Sequence, residues 1–270
     1  MTIERMSSLE ERFVGLRLRV FDSGYAHLDS SWSMRDVCSP YTRLYFAYRG
    51  EGWIRTPAGE RALRAGYMYL IPSGLKFDYW CDGEMDKLYI HVALELPDGF
   101  DLLGGFADGL ELELPEVLGE ELLRAYRGGD LRAALRLKGC VFEALAEFVD
   151  GYGAMLRPIS SYSPLTHAAF RVIKRELSSH LTLKDIAAAL DINPSTLGKR
   201  FHAETGLAIS DYMDSLLMQQ LQRRLLAGDS TLSEIADELG FCDQFYMSRY
   251  FKKRQGETPS AYRRRLSGAV

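Results

Sequence analysis

Leu183-Lys-Asp-Ile-Ala-Ala-Ala-Leu190 and Leu232-Ser-Glu-Ile-Ala-Asp-Glu-Leu239 are two versions of one phrase, set 49 positions apart. After a one-residue insertion the offset becomes 50, and Phe201, Gly206, Ser210, Tyr212 and Leu216 find counterparts in Phe251, Gly256, Ser260, Tyr262 and Leu266. This is an internal duplication. Each copy reads as a short helix, a tight turn and a second helix. Thr182 can cap a helix whose Leu183, Ile186, Ala187 and Leu190 form an apolar stripe, and Asn193-Pro194 then opens the next helix with proline at its first position. That is a helix-turn-helix pattern.

In the second helix of the first copy, Leu197 and Phe201 face inward at i, i+4, which leaves Ser195, Gly198, Lys199 and His202 on an outward strip. The second copy divides likewise, with Met247, Tyr250 and Phe251 inward and Gln244, Phe245, Ser248, Arg249 and Lys252 outward. Small polar and cationic side chains suit base edges and phosphates. The bland alternative is that such a strip is only the solvated face of an amphipathic helix, and two copies in tandem argue against it. Between them, Ile209 to Ala227 has helical spacing and stops at Gly228. Such a rod is about 28 Å long, and recognition helices roughly 34 Å apart meet successive major-groove turns on one face of B-DNA.

The run Glu234-Ile-Ala-Asp-Glu-Leu-Gly240-Phe241, with Asp243-Gln244, Arg249-Tyr-Phe-Lys252-Lys253, Gly256 and Thr258-Pro259-Ser-Ala-Tyr262-Arg263, resembles the signature of the AraC/XylS family of bacterial transcription regulators. The resemblance covers about residues 163–266. It implies a DNA-binding half preceded by a cupin-like sensor, and it places Ser195, Thr196, Lys199, His202, Gln244, Phe245, Ser248, Arg249, Lys252 and Lys253 at the DNA. Four positions depart from it. Gly198 has no side chain with which to read a base, Phe245 offers only apolar contact, and Leu217 and Leu221 stand where the family usually has an arginine and an alanine.

Charge is divided along the chain in the same sense. From Ser163 onward 15 Lys and Arg stand against 12 Asp and Glu, whereas the remainder holds 18 against 25. A surface this modestly basic suits salt-dependent specific binding and argues against an effector-free architectural protein that wraps DNA non-specifically. At 270 residues and 47% apolar content there is material for two cores. The four cysteines, Cys38, Cys81, Cys140 and Cys242, form no CxxC pair and read as reduced thiols. Met1 to Ser8 has no apolar signal core, and no membrane-spanning run occurs, so the expected location is the cytoplasm.

Residues 13–96 read as short strands: Leu16–Val20, Tyr41–Arg49, Trp53–Thr56, Tyr67–Ile71, Leu75–Trp80 and Met85–Leu96, punctuated by Gly50-Glu-Gly52, Pro57-Ala-Gly59, Ala65-Gly66, Pro72-Ser-Gly74 and Asp82-Gly83. This favours an antiparallel barrel or jelly roll. The stretch is similar to the family's cupin-like sensor, with Gly66, Pro72 and Gly74 at the glycine turn and the strand end. Enzymatic cupins hold a metal with histidines, but Phe77 and Asp78 follow Pro72 here, and only His27 and His91 precede residue 160. A three-histidine site cannot be assembled, so the rival reading of a cupin-fold enzyme is disfavoured and neither metal, cofactor nor catalytic residue is expected.

Past Pro115, Val117, Leu118, Leu122 and Leu123 predict one helix, Gly128-Gly129 breaks it, and Asp130 caps another carrying Leu131, Leu135, Val141, Phe142, Leu145 and Phe148. That pair either covers the barrel or, as the resemblance implies, dimerises. The expected fold is therefore α+β: a cupin-like antiparallel barrel over 1–112, a helical dimerisation segment over 113–153, a linker over 154–164 and an all-α domain with two helix-turn-helix units over 165–270. Expected partners are double-stranded DNA through two major-groove contacts per protomer, a small-molecule effector, a second copy of the chain and RNA polymerase. Arg35 precedes Gly50 by 15 residues, the spacing at which a member of the family places a ligand-contacting arginine. With Tyr45, Trp53, Tyr79 and His91 it makes up the predicted ligand set, for which a small polar metabolite is expected. The alternatives are a surface ion pair for Arg35 and plain barrel core for the others.

Overall fold

Side chains alternate across a strand, and in the N-terminal part that alternation, interrupted by glycines, builds a bent antiparallel sheet. The computed structural model describes residues 15–95, 101–153, 162–205 and 207–266. They form two compact units, 15–95 with 101–153 and 162–266.

The first unit contains β1 (Arg17–Leu28), β2 (Ser33–Cys38), β3 (Thr42–Thr56), β4 (Gly59–Arg64), β5 (Tyr67–Ile71), β6 (Lys76–Trp80), β7 (Met85–Glu95) and β8 (Leu110–Glu113). The order β1-β7-β3-β5-β8 makes the main sheet, while β2 and β6 pair with each other and the far half of β3 pairs with β4 and β6. All of these pairings are antiparallel.

Gly50-Glu-Gly52, expected as a turn between two strands, is instead a bend within β3. Thr42 to Phe46 lie between β5 and β7, and beyond the bend Glu51 to Thr56 pair with β4. Gly50 permits this with φ +70°, and a Cβ there would stand 1.8 Å from the Glu84 carbonyl oxygen. Chain reversal and a sheet-to-sheet bend both call for glycine, so composition could not separate them. Three strands, β2, β4 and β8, are additional to the sequence reading. The charged residues of β4 and the four-residue length of β8 hide their alternation.

Helices α1 (Glu116–Arg127) and α2 (Leu131–Tyr152) follow, the second capped by Asp130, whose carboxylate accepts from Ala133 N at 2.7 Å. Tyr48 Oη donates to the Gly119 carbonyl at 2.9 Å and Tyr152 Oη to that of Glu111 at 2.8 Å, tying the pair to the sheet. The apolar residues of α2 then divide. Val141, Leu145 and Phe148 are buried, while Leu131, Leu135, Phe142 and Val149 are 76%, 62%, 40% and 41% exposed. The linker expected over 154–164 lies outside the described residues up to 161, and Ser163 caps the next helix.

The second unit is all helical: α3 (Pro164–Glu176), α4 (Leu183–Ala189), α5 (Pro194–Thr205), α6 (Ile209–Ala227), α7 (Leu232–Glu238), α8 (Gln244–Gln255) and α9 (Pro259–Leu266). The duplication extends to its hydrogen bonds. Thr182 and Asp185 form a capping box on α4, and Thr231 and Glu234 form the same box on α7. Phe201 packs on Tyr212 at 5.6 Å, and Phe251 on Tyr262 at 5.3 Å.

Gly50 and Gly66 both sit in the left-handed region, but only Gly50 has backbone in the way of a side chain. Gly66→Ala is expected to cost about 1 kcal/mol for the conformation alone, and Gly50→Ala about 3 kcal/mol or more. Denaturant unfolding of the two variants measures the difference.

Candidate nucleic-acid interface and sensor interior

In the second unit, two short helices present their second partners to solvent. In α5, Leu197 and Phe201 are fully buried, and Ser195, Thr196, Lys199 and His202 are exposed. In α8, Met247 and Phe251 are fully buried; Phe245, Arg249, Lys252 and Lys253 are exposed, and Gln244 and Ser248 half-buried. All ten predicted DNA-facing residues thus lie off the buried stripe of their helices. Arg249 rests its guanidinium 5.9 Å from the Tyr246 ring, and Tyr246 is itself 46% exposed. The sequence reading passed over that tyrosine because it lies between an outward and an inward position. At Gly198 a Cβ would meet Leu183 at an ordinary 3.5 Å, so no close approach explains the glycine.

Helix α6, 19 residues long, holds the two helix-turn-helix units at a fixed spacing. Leu217, Leu221 and Leu225 are buried, so the two leucines that depart from the family pattern act as core. Polar bonds bind α6 to α8: Tyr250 Oη donates to Asp214 at 2.8 Å, Arg254 pairs with the same carboxylate, and Gln222 donates to Gln255 at 2.9 Å. Arg263 of α9 donates to the Leu225 carbonyl at 2.9 Å and the Ser230 carbonyl at 2.8 Å, closing the C-terminal end of α6. The loop before α4 also reaches the second helix-turn-helix, with Ser179 N donating to Leu239 O at 2.9 Å.

In the first unit the predicted ligand set separates. Tyr45, Tyr79 and His91 are buried, Trp53 is half-buried against Trp80, and Arg35 is exposed at an irregularity of β2. Trp53 neighbours the inward Ile54, so alternation turns it to the other face. Among the described residues, two buried cations that sequence reasoning missed stand here, Arg43 and Lys87, 4% and 3% exposed. Arg43 is paired in register with His91, and Arg43, Tyr45, Lys87, Tyr89 and His91 share one face of β3 and β7. Arg43 Nε donates to Ser39 Oγ at 2.9 Å and Nη1 to Tyr45 Oη at 3.2 Å; Lys87 Nζ lies 3.5 Å from the Tyr45 ring centre and 3.9 Å from that of Trp32. A signal was available, because Arg43 and Tyr45 are two apart in one strand and must face the same way.

His91 stacks on Tyr41 at 4.4 Å, and neither ring nitrogen has a hydrogen-bond partner. Asp22 Oδ2 approaches Nδ1 only to 3.7 Å, too far for a bond. Burial first, then Arg43 and Lys87, hold His91 well below its ordinary value; burial and Arg43 do the same to Lys87. Among the described residues no group of three His, Cys, Asp or Glu could hold a metal, and no helix is long and apolar enough to cross a membrane.

The chain therefore holds a rod-spaced pair of helix-turn-helix units in one compact unit and an antiparallel sheet in the other. Residues 186–265 match the family model described as a helix-turn-helix domain. The Msm operon regulatory protein of Streptococcus mutans is 22% identical over 265 residues, 92% of this chain and 93% of that protein. The transcriptional regulatory protein YesN of Bacillus subtilis, uncharacterized, is 34% identical over 162 residues, and the chain spans 40% of its length. The fold matches ToxT from Vibrio cholerae with a TM-score of 0.57 at 14% identity, over 90% of this chain and 97% of that one. The helix-turn-helix half is thus of the AraC type, and the relatives that this chain resembles are transcription regulators.

The unfolded chain takes up a proton at His91 near the ordinary value of 6.5, and the folded chain resists it. Stability should therefore fall as pH drops from about 6.5 towards 5. His91→Phe, which keeps the stack on Tyr41, should flatten that slope in thermal unfolding followed across the same range.

Proposed function

We propose that this chain is a one-component regulator that reads an operator with α5 and α8 in successive major grooves and answers to a small polar effector in its barrel unit. The observation that carries the reading is the pair of outward strips, Ser195, Thr196, Lys199 and His202 on one helix and Gln244, Phe245, Ser248, Arg249, Lys252 and Lys253 on the other, joined by one buried rod. The second reader is the stronger. Arg249 offers a fork to guanine, whereas the first helix has a glycine at 198. Tyr45, Tyr79 and His91 support the barrel interior as the effector site, with Arg35 nearer its surface. ToxT binds an unsaturated fatty acid, which makes effector response a property to test in this chain. Cytoplasmic location and contact with RNA polymerase go with this reading.

Arg249→Ala should cost about 1–3 kcal/mol on the preferred site and relax specificity at one base pair, while Lys253→Ala should weaken all duplexes alike and lower the salt slope. Gel-shift titration at several salt concentrations separates the two. Duplex affinity unaffected by either change would sink the assignment.

The bare face of α2 supports a homodimer. Leu135, Phe142 and Val149 recur every seven residues, with Leu131 one turn before, and all are exposed, the pattern of a helix-to-helix seam. A dimer brings four reading helices to two half-sites. Leu135→Glu combined with Phe142→Glu should give a monomer in sedimentation and weaker binding to a two-site duplex. Wild type sedimenting as a monomer at tens of micromolar would contradict the dimer.

A further inference from the structure

We infer that the barrel interior is an anion site in which Arg43, Lys87 and His91 receive the carboxylate of a small organic acid, the rest of which lies among Trp32, Tyr45 and Tyr79. This rests on the effector reading above and names the chemical class of the ligand. Two cationic side chains share one tyrosine: Arg43 holds the hydroxyl of Tyr45 and Lys87 lies over its ring. Both are buried, and among the described residues no carboxylate stands within ion-pair distance of either. Like charges brought together in a poorly solvated interior are costly, and aromatic faces compensate only in part. A packed core would use an aliphatic residue at position 87, so the lysine calls for a ligand-based explanation.

The unused valences point to the class. Arg43 has five N–H donors, of which the described contacts engage Nε and Nη1. Lys87 has three donors and two aromatic faces, and His91 has two nitrogens without partners. Sugar hydroxyls donate as well as accept, and this cluster supplies chiefly donors. A carboxylate accepts at two oxygens and carries the compensating charge. Trp32 and Tyr79, stacked on each other 4.3 Å apart, border the cluster with apolar surface for the remainder of the molecule.

Binding is also expected to take up protons. Lys87 is faced by Trp32, Tyr45, Arg43 and Cys81, and His91 by Tyr41, Tyr89, Asp22, Arg43 and Lys87. A bound carboxylate adds a negative charge at Arg43 and Lys87, which the half-exposed Asp22 beside His91 does not supply to them, and favours the protonated forms of both Lys87 and His91. Affinity should then decline as pH rises through the values that Lys87 and His91 adopt in the complex.

The test uses the full chain with benzoate and hexanoate as probes, against benzamide, hexanamide and inorganic phosphate, each at millimolar concentration. Thermal unfolding should rise with at least one carboxylate and not with its neutral amide, calorimetric affinity should fall as pH is raised, and Lys87→Met should weaken binding at least tenfold while raising the midpoint of the ligand-free protein. Equal shifts from acid and amide, a response to neither carboxylate, or a carboxylate shift that persists in Lys87→Met would overturn the inference. A response to phosphate alone would overturn the class. If Lys87→Met does not fold, the wild-type acid-against-amide comparison and its pH dependence still decide. Duplex binding by the same wild-type sample reports separately on the regulator reading, so failure of one is distinguishable from failure of the other.

Discussion

The spacing of the two helix-turn-helix units depends on one buried helix. Neither α5 nor α8 could keep a fixed distance from the other unless both halves packed on α6. Leu217, Leu221 and Leu225 supply the apolar contact, and Asp214, Tyr250, Arg254 and Arg263 supply directed bonds at both ends. Apolar burial alone tolerates sliding, whereas hydrogen bonds from Tyr250 and Arg263 set rotation and register. That division explains how leucines can stand where the family usually has an arginine and an alanine: the polar clamp lies beside them on other residues.

The barrel unit meets a different demand. A sheet that only had to be stable would fill its interior with aliphatic and aromatic residues, as the other face of β3 does with Leu44 and Phe46. Its inner face instead carries Arg43, Lys87 and His91 among tyrosines. Local rules of packing are broken there in one connected place, which is where function is to be sought in an otherwise consistent fold.

Helix α2 joins the two demands on its two faces. Val141, Leu145 and Phe148 close the hydrophobic core of the barrel unit, while Leu131, Leu135, Phe142 and Val149 remain open to solvent. The alternatives of covering and dimerising were posed for the whole helix, but a helix presents different residues every 100° or so. One face covers, and the other stays available.

What the sequence determined by itself was whatever is written in local or repeated form. The duplication at offsets 49 and 50, the threonine caps at 182 and 231, the aspartate cap at 130 and the glycine stop at 228 are short-range patterns, and the helical unit follows them closely. The ten outward residues of α5 and α8 were legible for the same reason: helical periodicity alone tells inward from outward. Tertiary structure decided the matters that depend on pairing across long stretches of chain. It made Gly50 a bend rather than a turn, put Arg35 outside, and brought Arg43 opposite His91, 48 positions away. In a strand the partner across the sheet decides which face is buried, and that partner is chosen by register rather than by sequence neighbours.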